Sequence, residues 1–447
     1  MMDFVANHPM PGIPVDPKNI KILHTPQEFY STLLERIRTA EKRIVLSSLY
    51  LGDGKLERDL VDELNDKIDN TKKLDVRILL DYLRGTRGES NERSSTTILR
   101  KIAHKAKVYL YHTPELNGFF KRCLPERTNE IIGLQHMKLY IFDNSIIISG
   151  ANLSDSYFTN RQDRYIIFEN SPEITNFFCD IVQAVGSSSF VLNEDGTIDI
   201  HEKCDVHPYL GDTETYKKML ALRVNNVISE YQKEFAGKFN EEETMVYPVI
   251  QMGNIGINQE FELVKKVLAQ KGTDWHITMA SGYFNCIEDY EKVMFEEANY
   301  TLDIITASPK SNGFFGARGP SKYIPALYSE FASKFLDRRR EAMKDNIYLF
   351  EYNRKGWTFH AKGLWILRRG FAATLVGSSN FGYRSVHRDL EAQLLLVTKS
   401  EELFRRLSFE KRRLHDHSLL LEPSLTKPEH HVPALVRVVS KFIRNFL

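Results

Sequence analysis

Apolar residues fall along this chain in two alternating rhythms. Short runs rich in Ile, Val, Leu and Tyr, bounded by turn residues, predict buried strands at Arg43–Leu49, Leu74–Asp81, Lys107–Tyr111, Met137–Phe142, Ile146–Ser149 and Arg164–Phe168. Between the earlier of them, helical spacing predicts helices at 26–42, 55–70 and near 93–104. The order then returns. Helices near 259–270, 286–299 and 323–344 lead into strands at His276–Ala280, Leu302–Thr306 and Ile347–Tyr352, and further strands follow at Ala361–Leu367, Ala372–Val376 and Ala392–Val397. Strands alternating with helices predict an α/β fold. The repetition predicts two α/β lobes with mixed sheets, 20–171 and 256–447, in a pseudo-twofold arrangement with the active site at their interface. Residues 172–255 are expected to be connecting helices and linker.

One motif sits at the same place in both series. Gln135-His136-Met137-Lys138 precedes Gly150-Ala151-Asn152, and Phe359-His360-Ala361-Lys362 precedes Gly377-Ser378-Ser379-Asn380. Asp163 follows Asn152 by eleven residues, and Glu391 follows Asn380 by eleven. Chance supplies one His-x-Lys easily; it does not supply His, Lys, Asn and a carboxylate in order twice. Residues two apart on a strand share a face, so Lys138 and Lys362 are expected against the non-bridging oxygens of a phosphate beside each imidazole. Asn152 and Asn380, from the adjacent strands, are expected to donate amide N–H bonds to the same oxygens. One imidazole then attacks phosphorus while the other serves as acid and base. Asp163 and Glu391 are the candidates for fixing the tautomers, and the matched spacing suggests that each half is complete. Asp143, seven residues after His136, has Leu367 as its counterpart after His360. It belongs to the motif but reads as a structural hydrogen-bonding residue.

Composition narrows the partners. At 447 residues the chain exceeds one ordinary core, and its formal net charge of +1 offers no general pull on nucleic acid. The four cysteines form no Cys-x-x-Cys pair, which suits a reducing compartment. His201-x-x-Cys204-x-x-His207 has a metal-like spacing but no evident fourth ligand, so no metal and no other cofactor is expected. No run approaches the ~20 apolar residues that span a bilayer. With four prolines by Pro17 and no Arg before Arg36, an Arg-rich transit segment is not expected at the start.

Three segments suggest surfaces. Asn117-Gly-Phe119-Phe120-Lys-Arg122 and Asn312-Gly-Phe314-Phe315-Gly-Ala-Arg318 each follow a strand upstream of their own His-x-Lys. Their aromatics and cations suit a lipid interface or a phosphate-bearing substrate; equally, the phenylalanines could plug a local core. Residues 309–321, with Lys310, Arg318 and the adjoining Lys322, could cradle a diphosphate. Val432–Leu447 places Leu435, Val439, Phe442 and Phe446 on one helical face, and Arg437, Lys441 and Arg444 on the other side. Such a helix either lies on an anionic membrane or docks on the core. The run Asp337–Glu341 reads as a solvated helix face.

The paired His-x-Lys motifs resemble those of the phospholipase D superfamily. The longer stretches Gln135–Asp143, Ser149–Tyr165 and Gly356–Trp365 resemble the eukaryotic mitochondrial phosphatidylglycerophosphate synthases within it, and the likeness runs from about Ile22 to the end. The second motif lacks its Asp, which accounts for Leu367. The resemblance implies two phospholipase D-like lobes and a reaction of CDP-diacylglycerol with glycerol 3-phosphate. The products are phosphatidylglycerophosphate, toward cardiolipin, and CMP. It further implies a covalent phosphatidyl-histidine, no metal in the chemical step, and peripheral attachment at the matrix face of the mitochondrial inner membrane. The full motif around His136 points to it as nucleophile and to His360 as acid/base. Hydrolysis by the same site, transfer to another acceptor and an inactive scaffold remain alternatives; the oligomeric state is not legible.

Overall fold

The computed structural model describes residues 12–88, 94–117, 132–236, 243–422 and 425–444. Phe119, Phe120, Arg122 and Phe446 lie outside the described residues.

Two mixed sheets form the frame. The first runs in the order Ile198–Ile200, Phe190–Leu192, Lys107–Tyr111, Asp75–Asp81, Arg43–Ser47, Leu139–Phe142, Ser145–Ser149, Tyr165–Phe168, Ile20–Leu23. The second runs Ser418–Leu420, Ile347–Tyr352, Thr301–Ala307, His276–Ser281, Gly363–Arg368, Phe371–Gly377, Glu391–Thr398, Met245–Met252, Ile13–Pro14. In each, three consecutive strands are parallel and the rest pair antiparallel. Eight strands correspond one to one, so the repeat is deeper than the motif alone.

Alternation along the strands explains why both faces are covered. In Arg43–Ser47, Ile44 and Leu46 pack with the outer helices while Val45 points inward; Tyr140 and Phe142 do likewise opposite Leu139 and Ile141. The inner cluster draws on both lobes, with Met137, Ile148 and Ile166 from one and Trp365, Val376 and Leu394 from the other. Strands buried on both faces read as nearly continuous apolar runs, which is how they were recognised. The outer helices are amphipathic. Lys55–Asn70 buries Leu60, Val61, Leu64 and Ile68, and Pro26–Thr39 starts at a Thr25/Glu28 capping box.

Two expectations change. Residues 172–255 are not a separate connector. Pro172–Gly186 packs against strands of the first sheet, and Phe190–Leu192 and Ile198–Ile200 extend that sheet. Met245–Met252 joins the second sheet beside Glu391–Thr398. Its Pro248 falls between the short ladders that the strand's outer edge makes at Met245–Val246 and Gln251–Met252. At such an edge a missing N–H is tolerated. The strands expected from Met137 and Ala361 begin instead at Leu139 and Gly363. The residues just before them pair with the opposite lobe.

Candidate active site

Each His-x-Lys enters the site on backbone borrowed from the other half. His136 N–H donates to the carbonyl of Leu390 at 2.9 Å, and Leu390 N–H donates to that of Leu134 at 2.8 Å. Thr358–Phe359 pairs in parallel with Arg161–Gln162, and His360 N–H donates to the Gln162 carbonyl at 2.8 Å. These two crossings are pseudo-equivalent. They place Glu391 beside His136 and Asp163 beside His360. Nδ1 of His136 lies 2.9 and 3.0 Å from the two Glu391 carboxylate oxygens, and Nδ1 of His360 lies 2.7 Å from Oδ2 of Asp163. The expectation that each half is complete is therefore corrected: every histidine takes its carboxylate from the other lobe.

The lysines lie beneath the histidines. Lys138 and Lys362 are fully buried, and each Nζ donates to the carbonyl of its own motif's histidine, at 2.7 and 2.8 Å. Burial drives every group of this cluster toward its neutral form. It holds both imidazoles well below their ordinary value, helped by Lys138 at His136 and Lys362 at His360. It pushes Glu391 up to about 7 against the pull of Lys138, and Asp163 to about 6 against that of Lys362. It lowers Lys362 to about 8, opposed by Asp163 and Glu391, and Lys138 well below the ordinary lysine range. A neutral imidazole keeps the ring lone pair that nucleophilic attack on phosphorus needs.

Both histidines and both asparagines line one cleft of about 480 Å³. Arg84, Arg87, Arg161 and Arg384 also line it, a lining suited to more than one phosphate. Arg384 pairs with Asp389 at 3.2 Å, and Asp389 accepts from Leu134 N–H at 3.0 Å. Phe314 lines the cleft and Phe315 is exposed outside it, so neither phenylalanine of this loop plugs a local core. Arg318 and Lys322 do not line the cleft, and Lys310 pairs with Glu429 at 2.6 Å, so no cation of that segment reaches the histidines.

The asparagines are not alike. The Asn152 side-chain oxygen accepts from Leu49 N–H at 3.4 Å, and its amide nitrogen donates to the Tyr157 hydroxyl at 3.1 Å. That amide is thus committed to protein rather than open to a phosphate. The buried Asn380 Oδ1 has no hydrogen-bond partner among the described residues. Asp143 stands away from the cleft, at a turn with φ of 51°. Its carboxylate accepts from the backbone of Glu41, Lys42 and Arg43 at 2.7 to 3.0 Å. Burial works against ionisation there, but those bonds hold the carboxyl below its ordinary value. Its inclusion among the catalytic candidates is corrected: it joins two chain segments.

Several residues escaped sequence reasoning. Tyr157 touches His360, and Arg161 and Arg384 carry charge into the cleft. Ser378 donates to Glu391. Arg164, next to Asp163, crosses into the second lobe. It makes two 2.9 Å bonds to Glu410, a 2.7 Å bond to Thr374, and stacks 3.7 Å over Trp365. Gly363, at φ +126°, leaves the room: a Cβ there would collide with Arg164 and the Leu375 carbonyl. Counting from each Asn would have flagged one of these positions, since Tyr157 and Ser385 both stand five residues on.

Metal-like groupings occur twice among the described residues. His136, Asp389 and Glu391 belong to the cleft, and their donor atoms are engaged as described; Glu351, Glu429 and His430 form the other. His201, Cys204 and His207 form none: both histidines accept backbone N–H bonds at Nδ1, and the thiol faces the Val206 carbonyl.

The C-terminal helix, Ala434–Ile443, docks on the core along one side only. Val436 docks against Leu327 and Phe331, while Leu435 and Phe442 are 72% and 76% exposed. The run Asp337–Glu341 ends a long helix, but Arg339 is buried, donating to the Ile347 carbonyl and pairing with Glu422 at 3.0 Å each.

Residues 33–183 match the family described as "Cardiolipin synthase, PLD-like domain". The structure resembles phosphatidylserine synthase of Haemophilus influenzae with a TM-score of 0.74, at 18% identity, over 99% of this chain and 98% of that one. At that identity the likeness shows the fold. The curated mitochondrial CDP-diacylglycerol–glycerol-3-phosphate 3-phosphatidyltransferases of Gallus gallus and Homo sapiens are 40% and 39% identical to it, each over 98% of this chain and 85% and 84% of theirs. The Saccharomyces cerevisiae enzyme of that name is 33% identical over 95% of this chain and 88% of its own. Such identity along nearly the whole length, on a frame of two phospholipase D-like lobes, makes this chain a member of the CDP-diacylglycerol–glycerol-3-phosphate 3-phosphatidyltransferase family.

Proposed function

We propose that this chain transfers the phosphatidyl group of CDP-diacylglycerol to sn-glycerol 3-phosphate, giving phosphatidylglycerophosphate and CMP. The observation that carries it is the convergence of both His-x-Lys motifs, with crossed carboxylates, on one arginine-lined cleft in a chain of this family. In the first step Nε2 of His136 attacks the phosphatidyl phosphorus, and the bond to the CMP oxygen breaks. CMP is a phosphate with a second pKa of about 6, so it departs with little need of a proton. In the second step the hydroxyl of glycerol 3-phosphate attacks the phosphatidyl-histidine. That hydroxyl is a far weaker acid and needs a base, the role of His360. Arginines around the cleft balance the charge of donor and acceptor.

Lipid chains require a bilayer nearby. Among the described residues no helix is long and apolar enough to cross one. The exposed Leu435, Val438, Val439 and Phe442, with Arg437 and Lys441 on the same helix, suit peripheral contact with an anionic membrane. The relatives' mitochondrial names support a mitochondrial location; attachment at the matrix face of the inner membrane is the finer part of this proposal.

Purified protein, CDP-diacylglycerol vesicles and a panel of acceptors test the reading. CMP release that depends on glycerol 3-phosphate is expected, with a phosphatidyl-enzyme accumulating in His360→Ala. Equal CMP release in water alone would assign a hydrolase instead.

A further inference from the structure

The two histidines differ in what meets their outer ring nitrogen. The Tyr157 hydroxyl lies 3.1 Å from Nε2 of His360. No such contact to Nε2 of His136 occurs among the described residues. The cause is one substitution within the repeat. Five residues after Asn152 comes Tyr157; five after Asn380 comes Ser385. Each sits on a short helix at the same place in its lobe, Asp155–Thr159 and Tyr383–His387. The small Ser385 hydroxyl stays beside its own Asn380 backbone, at 3.1 Å, and Glu391.

The hydrogen-bond directions around Tyr157 are determined. Leu49 N–H can only donate, so the Asn152 atom it meets is the oxygen, and Asn152 turns its N–H toward Tyr157. The phenol oxygen accepts that bond, leaving its proton for His360. Asp163 accepts from His360 Nδ1–H, so Nε2 carries the lone pair. Lys362 Nζ stands 2.7 and 3.0 Å from the two ring nitrogens, so Nε2 faces both it and the Tyr157 hydroxyl. The chain of hydrogen bonds therefore runs from Asn152 to Tyr157 to His360 to Asp163. Arg161 lies 4.6 Å over the Tyr157 ring, and both line the cleft.

We propose that Tyr157 is a catalytic residue of the second step, relaying the acceptor's proton to His360; this rests on the transfer reading above. As the acceptor oxygen bonds to phosphorus, its proton passes to the Tyr157 oxygen, and the phenolic proton passes to His360 Nε2. The phosphorus–His136 bond breaks, and its electron pair returns to His136. Asp163 balances the imidazolium. Tyr157 ends as it began, and the proton leaves through His360. Burial raises the phenol's pKa, so it starts each cycle protonated.

Two rates of one protein test this: exchange of labelled CMP into CDP-diacylglycerol without acceptor, and transfer to glycerol 3-phosphate. If the wild type shows neither, the transfer reading fails, whatever Tyr157 does. Given both in the wild type, Tyr157→Phe is expected to lower the ratio of transfer to exchange by ~10²-fold, the low end for a lost acid–base group. A ratio within threefold of wild type overturns the proposal, including when both rates fall together as a purely structural role requires. Should the Phe variant not fold, 3-fluorotyrosine at position 157 takes its place. A changed ratio supports the relay, and an unchanged one overturns it.

Discussion

Glu260 is the sharpest physical test of the site's interior. It is fully buried, receives a 2.7 Å bond from Ser379, and has Gln393 and the Glu391 charge as neighbours. Burial pushes its carboxyl from 4.5 up to about 8. The folded protein thus holds a proton there that the unfolded chain releases. The associated stability is fully present below about 4.5 and is lost as pH rises through about 8. From 4.5 to pH 7 is about 2.5 pH units, and at about 1.36 kcal/mol each this amounts to about 3 kcal/mol. Glu260→Gln keeps the shape, the acceptor for Ser379 and the neutral charge without needing a proton. It should stabilise the protein by about 3 kcal/mol at pH 7 and by little at pH 5. With an unfolding entropy of about 2.1 cal/mol/K per residue over 447 residues, the melting temperature should rise about 3 °C at pH 7. Calorimetry of both proteins from pH 5 to 8 reads this directly. Equal melting temperatures at pH 7, or a benefit that does not grow with pH, would show that Glu260 is ionised in the folded state and refute the reasoning.

Asp163→Asn should slow acceptor transfer, and Glu391→Gln should slow CMP release, each by roughly 10³-fold through a misdirected tautomer; rapid-quench assays of the two steps check the assignment. Arg164→Met leaves Glu410 buried without its cation and should cost about 3–5 kcal/mol in denaturant unfolding, with part regained in Arg164→Met/Glu410→Leu. Lys362 titrates near 8 and acts as a cation, so it loses its charge as pH rises through that value. Transfer should therefore fall above pH 8, and Lys362→Arg should remove that limb from whatever activity it keeps.

Much of this was legible because the motif occurs twice. The strands around both motifs are buried on two faces and read as apolar runs, and His136, Lys138, His360 and Lys362 stood out by repetition. The crossing was not legible. Spacing along the chain places Asp163 and Glu391 equally far from their own Asn, but it carries no information about which lobe each faces. That is decided by backbone pairing at Gln162 and Leu390, where ordinary side chains leave no signature. Tyr157 was hidden for another reason: in a run such as Asp-Ser-Tyr-Phe, a buried aromatic reads as core, and it does pack at the helix where its hydroxyl works.

A duplicated frame favours equal sites, yet the two-step displacement proposed above needs unequal ones. Here the inequality is not in the His-x-Lys residues, which are the same in both halves. It lies one layer out, where Tyr157 holds in one lobe the position that Ser385 holds in the other, and Arg164 that of Ala392. The Tyr157 hydroxyl meets the outer nitrogen of His360, while His136 has no such contact among the described residues. Arg164 anchors the Asp163 side in the second lobe's interior, whereas Glu391 rests on hydroxyl groups. Crossed carboxylates then couple these differences to assembly. Neither lobe contains a histidine with its own carboxylate partner, so both imidazoles gain their tautomers only when the lobes dock. Chemistry and docking are thereby decided by the same few contacts.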